Sequence, residues 1–247
     1  MAVILPIISL LLLILIASKL SQRKREALLI GLMTWAILIT FLTEISSLFG
    51  SFNFAFLTVS WLMITVGLSL FYLKAYGSKS PVSILRPWLN IETFIDLPLV
   101  FKLSTIGVGV TLLGIGMTAL IAAPNHSDSM EYHLSRVMHW IQQGGVAHYP
   151  SHTIFQLYQN PWSEFAIAHL EILSRSDRFD GCIQWGSMIG SIFGVSLIAK
   201  ELGAQRSGQI LAAVFCATIP MGILQGSSTN NDHVVALWMV CFVYFLL

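Results

Sequence analysis

The sequence predicts an all-α, polytopic membrane protein: a bundle of about seven transmembrane helices with a long outer loop that carries two surface helices. Three observations predict it. Apolar residues make up 55% of the chain and charged residues only 10%, with a mean hydropathy of +0.77, where a soluble domain is roughly a quarter charged. The apolar residues gather in runs close to the ~20 needed to cross a bilayer as a helix. Residues 124–181 interrupt those runs for far longer than the ~12–15 residues a structureless connection spans, so they must hold structure of their own.

The apolar runs lie at 2–18, 27–43, 54–73, 103–123, 182–199 and 207–224, and a seventh begins near His233 and reaches Leu247. That last run has no cap and no basic stop signal, which reads as the N-terminal fragment of a longer protein. Nothing basic precedes the first run, while Lys19, Arg23, Lys24 and Arg25 follow it. The first helix is therefore expected to be retained, with its N-terminus outside. Threading the spans from there puts 19–26, 74–102 and 200–206 on one side, with ten of the 13 basic residues. The positive-inside rule makes that side cytoplasmic and places 44–53, 124–181 and 225–232 outside.

Within the inner loop, Trp88 to Leu103 mixes apolar residues with Glu92, Asp96 and Lys102 and reads as an interfacial segment. Gly107, Gly109, Gly114 and Gly116 in the fourth run read as close helix packing. In the outer loop, Leu134, Val137, Met138 and Ile141 recur at helical spacing and Gly144-Gly145 closes the pattern, giving a helix over about 129–143. Its other side carries Tyr132, Arg136, His139 and Gln143. Asn160-Pro161 is a cap followed by proline at the first helical position and starts a second helix that runs to about Leu173. Both are expected along the outer membrane surface.

A net charge of +1 gives no basic field for nucleic acid. Cys182, Cys216 and Cys241 sit in apolar runs at no metal-like spacing and read as buried thiols. The chemistry therefore rests on two acidic clusters, Asp128-Ser129-Met130-Glu131 and Asn230-Asn231-Asp232, because carboxylates at the ends of spans are costly to place. Each also has a structural reading. Asp128 with Glu131 is a variant capping box, worth ~1 kcal/mol, and Asp232 suits the first turn of a helix. The charge-derived topology, however, puts both acids at the outer ends of spans, where they can share one cleft. Six histidines crowd the loop, but Pro150 separates His148 from His152, which argues against a zinc site on one helical face.

The order of these features resembles the N-terminal core of the GT-C superfamily of membrane glycosyltransferases, nearest to family 39 and the RgtA/B/C/D-like bacterial proteins. Those are related to protein O-mannosyltransferases and the lipid A aminoarabinose transferases. The likeness is carried by Asp128 to Val137, Asn160 to Phe165 and Ser228 to Asp232. It covers about 103–247 and leaves 1–102 as an N-terminal three-span addition. The resemblance implies transfer of a sugar from a polyprenyl-phosphate donor to a hydroxyl of a glycan, lipid or protein acceptor, on the extracytoplasmic side of the plasma (inner) membrane. It implies Asp128 as general base and Asp232 as a group that orients the acceptor or assists a metal, with Glu131 and Tyr132 at the substrate. Arg136 and His139, on the helix face beside them, are candidate phosphate contacts, with an ordinary solvated face as the alternative. A divalent cation such as Mg²⁺ or Mn²⁺, held by carboxylates and phosphate, is compatible with the residues. The competing classes are a transporter or lipid flippase, which would place ionisable groups near the bilayer midplane, and a membrane scaffold with no dependence on either Asp.

Overall fold

The computed structural model describes residues 2–21, 24–77 and 94–247, and these are helical with no strand among them. The long elements are α1 (Ile4–Leu20), α2 (Lys24–Leu48), α3 (Phe54–Tyr76), α4 (Leu99–Ile121) and α8 (Gly181–Glu201). Between α4 and α8 lie a π-helical turn (Ser129–His133), α5 (Leu134–Gln143), α6 (Phe155–Tyr158), α7 (Trp162–Ser174) and a 3₁₀ turn (Asp177–Phe179). After α8 come α9 (Arg206–Ala217), α10 (Pro220–Gln225) and α11 (Asp232–Leu246).

Among the described residues, four helices are long and apolar enough to cross a membrane: Arg25–Leu48, Phe54–Lys74, Leu99–Ile121 and Asp177–Glu201. The expectation of seven spans is met by fewer. Helices α1 and α11 are apolar but shorter. The run expected at 207–224 breaks at Thr218-Ile219, where Ile219 is extended and Pro220 opens a new helix. The cause is local: proline has no N–H for the preceding turn and its ring pushes the residue before it out of helical geometry. Of the interfacial segment expected over Trp88 to Leu103, residues 88–93 lie outside the described residues, 94–98 form a short turn, and the part from Leu99 belongs to α4.

Helix α8 is the hub, packed on α11, α9, α4 and α2. Its Gly190 and Gly194 have no side chain where Leu237 and Val240 of α11 press in, so the two backbones approach as small residues permit inside a membrane. Of the four glycines in α4, Gly116 alone meets a neighbour, the Trp185 ring; a Cβ at Gly107, Gly109 or Gly114 would face open space. Helix α1 packs against both α2 and α3, with Gly31 of α2 set against Ile14.

Helix α7 is the main departure from expectation. It was expected to lie on the membrane surface, yet Ser163 to Leu170 and Ile172 to Ser174 are buried and the helix packs against α2, α3 and α5. Eight of its 13 residues are apolar, and its polar side chains Ser163, Glu164, His169 and Ser174 are buried with them, so packing against neighbouring helices, not an amphipathic surface, positions it. One core therefore joins Trp35, Ile39, Phe52, Leu57 and Trp61 from α1–α3 and their turns to Val137, Trp140, Phe165 and Leu173 from the loop helices. His169 pins α7 inside it. Trp61 Nε1 donates to His169 Nδ1 at 3.0 Å, which leaves the proton on Nε2, 2.9 Å from Thr43 Oγ1. Total burial pushes this imidazole down to about 3, so it is neutral.

The turns dock by backbone. Gly50 ends α2 at φ 57 and Gly144 ends α5 at φ 69, conformations that glycine adopts without steric cost. A Cβ on Gly144 would lie 3.1 Å from the Gly50 carbonyl, and Phe52 N donates to Gly144 O at 3.0 Å.

Candidate active site

The segment from Asp128 to Gln143 begins differently from its expected capping box. Asp128 has helical dihedrals and its side chain caps nothing. The chain instead enters a π-helical turn over Ser129–His133, in which Leu134 N reaches back to Ser129 O. Such single-turn insertions occur frequently at functional sites. Asp232 likewise opens α11 with no side-chain cap from Asn231.

The structure brings the two acidic clusters together. Ser129 Oγ donates to Asn230 Oδ1 at 2.9 Å in a buried contact, and Ser163 Oγ of α7 donates to Asn230 O at 3.2 Å. Asn230 is held from its own side by Gln225 Oε1, which accepts from Asn230 Nδ2 at 3.1 Å. Gln184 of α8 fixes the start of α11, its Oε1 accepting from His233 N at 2.9 Å. Tyr132 is close enough to both acids to feel their charge. Burial, then the negative charges of Asp128 and Asp232, then a hydrogen bond with Asp128 push its phenol above the ordinary range, so Tyr132 remains a donor at neutral pH.

Behind Tyr132 lies a buried ionic cluster. Its ring packs on His133, with centroids 4.3 Å apart, and His133 Nδ1 donates to Glu164 Oε1 at 2.8 Å. Arg136 Nη1 donates to the same oxygen at 3.3 Å. Arg136 and Glu164 are 1% and 0% exposed. The guanidinium also binds the carbonyls of Phe155, Gln156 and Gln159, so it staples the α6 strap onto α5. The strap covers the side of α5 that sequence periodicity left to solvent, which is why Arg136 is interior.

The remaining candidates diverge. The Glu131 side chain is exposed, and its carbonyl accepts from Gln156 Nε2 at 2.8 Å. His139 is exposed and stacks on Tyr149, with centroids 4.1 Å apart. Asp128, Tyr132 and Asp232 thus form one constellation, Arg136 stands behind it, and His139 belongs to the Tyr149 surface. A cavity of about 600 Å³ adjoins Arg136, but none of the three constellation residues lines it. The candidate chemistry is placed at the carboxylates because proton transfer needs an accessible acid, and the cavity wall offers only Glu44.

Sequence reasoning missed Glu164 and His169 as structural anchors and Asn230 as the link between the clusters. The signal for the first two was their place in a largely apolar helix, α7, in which an acid and a histidine must each find a buried partner. The arrangement can accept a proton at either carboxylate and donate a hydrogen bond from the Tyr132 phenol. In comparisons with protein-family models, with curated proteins and with solved structures, nothing matches this chain.

Proposed function

We propose that the chain belongs to a membrane glycosyltransferase of the GT-C kind, which moves a sugar from a polyprenyl-phosphate donor to an acceptor hydroxyl at the outer face of the plasma membrane. One observation carries the reading: the Ser129–Asn230 hydrogen bond and the placement of Tyr132 beside both Asp128 and Asp232 join segments a hundred residues apart. Two independent helix caps would need no such meeting.

The polyprenyl phosphate is its own leaving group, so the protein's task is to remove a proton from the acceptor and to hold both substrates in line. Asp128 takes the proton and Asp232 orients the acceptor or shares a divalent ion with the donor phosphate. Tyr132 donates a hydrogen bond beside them, and Glu131 lies at the exposed edge. Arg136 acts as a positioning residue, since its donors are spent on Glu164 and three carbonyls. The order of basic residues along the chain supports the outer location.

The test uses the full-length protein in membranes with a radiolabelled polyprenyl-phosphate sugar. Asp128→Asn should lower transfer at least ~100-fold, the lower end of what a general base contributes, with unchanged membrane insertion. Transfer at the parental rate in that variant removes the base assignment.

A further inference from the structure

We propose that the cavity of about 600 Å³ beside the Arg136 staple binds a neutral saccharide. Its volume lies within the ~300–1,000 Å³ range of small-ligand sites. Its walls are fixed without a ligand. Gln156 is held at both ends: Nε2 donates to Glu131 O, and Oε1 accepts from Tyr149 Oη at 3.1 Å and Ser151 Oγ at 2.8 Å. The facing wall is tied by Gln143 Nε2, which donates to Gly145 O and Ala147 O, each at 2.9 Å, and by Val146 N, which donates to Ser47 Oγ at 2.8 Å. A ligand entering such a site has little loop ordering to offset.

The groups left over specify the ligand. Among the described residues the side chains of Glu44, His148 and Gln159 line the cavity without a hydrogen-bond partner. A carboxylate, an imidazole and an amide together accept from and donate to hydroxyls. Tyr149 and Tyr158 add aromatic rings, and Tyr158 is 61% exposed; a flat ring covers the C–H face of a sugar while its hydroxyls stay at the edge. Charge removes the alternatives. Among the described residues the one Lys or Arg on the cavity wall is Arg136, whose charge Glu164 offsets at 3.3 Å, and Glu44 adds a negative group, so a phosphate meets no free Lys or Arg among them. An apolar chain would leave three polar side chains facing it unpaired.

This is a binding site, and it stands whether or not the Asp128–Asp232 face transfers a sugar. The experiment is equilibrium titration of the full chain in nanodiscs with mannobiose, chitobiose and cellobiose, read by calorimetry, with inorganic phosphate as competitor. At least one disaccharide should bind saturably, and Glu44→Ala and Tyr158→Ala should each weaken it at least tenfold, while phosphate does not compete. Both side chains are exposed, so these variants fold, and a circular dichroism spectrum matching the parent checks it. No saturable binding across the three sugars, unchanged affinity in either variant, or displacement by phosphate would each overturn the proposal.

Discussion

Removing the charge of Glu164 while keeping its shape, by Glu164→Gln, tests whether the buried ionic cluster sets the geometry behind Tyr132. Glu164 is 0% exposed, and one of its oxygens serves both His133 at 2.8 Å and Arg136 at 3.3 Å. Breaking a buried pair by neutralising one partner typically costs ~3–5 kcal/mol, because the other charge is left uncompensated. The glutamine carbonyl still accepts a hydrogen bond, and Arg136 keeps three backbone carbonyls, so the expected loss is at the lower end, about 2–4 kcal/mol. Arg136→Met alone should cost a similar amount, since it strips the strap of its donors and leaves Glu164 with His133 only. The double variant has no buried charge, so its cost should fall short of the sum of the two singles by about 2 kcal/mol or more. The measurement is equilibrium unfolding in mixed micelles with rising denaturing detergent, followed by circular dichroism, for all four proteins of the cycle. Additivity within about 0.5 kcal/mol would refute the reasoning, because it would mean that the two groups stabilise the fold independently.

Glycine substitutions separate the packed helix faces from the open ones. Gly194→Ala should destabilise by about 1–3 kcal/mol through overpacking, because its Cβ would run into Val240; Gly114→Ala, with open space around it, should be neutral or stabilise by ~0.5–1 kcal/mol, and equal effects in thermal unfolding would contradict the packing described. His169 predicts acid sensitivity. Its folded pKa of about 3 lies below the ordinary 6.5, so no penalty exists above pH 6.5, and below it only the unfolded chain takes up the proton. Stability should therefore fall by about 1.4 kcal/mol per pH unit between 6.5 and about 3. Unfolding midpoints of the parent and His169→Gln should converge as pH falls through that window, and parallel pH profiles would show that His169 does not carry the effect.

Much of the fold was legible because hydropathy and helix-stop chemistry are local. The apolar runs gave α2, α3, α4 and α8 within a few residues at most ends, and Asn160-Pro161 does mark the start of α7, with Pro161 at the cap position and Asn160 Oδ1 accepting from Trp162 N at 3.2 Å. What sequence could not separate was a helix in lipid from a helix in protein, since both are apolar. Helix α7 shows this, as it was expected on the surface and lies in the core. The same limit hid the role of Arg136, whose partners are carbonyls about twenty positions along the chain and leave no mark on residue type. That the segments carrying Asp128 and Asp232 run close to each other follows from charge order along the chain. The physical cause of that approach, the Asn230 side chain reaching Ser129, depends on tertiary packing and had no sequence signature. Proline at 220 did have one, and it outweighs the apolar character of the run around it.

The π-helical turn at Ser129–His133 has a consequence for how this segment tolerates change. A regular α-helix advances about 100° per residue, so the extra residue in the turn sets the phase between Asp128 on one side and Arg136 on the other. Deleting a residue between Ser129 and Arg136 would let the backbone relax to ordinary α-helical bonding, yet it would disturb the Ser129 contact with Asn230 while Arg136 stayed anchored to the strap. The segment behaves as a keyed coupling: substitutions change its teeth, but a change of length unkeys one end from the other.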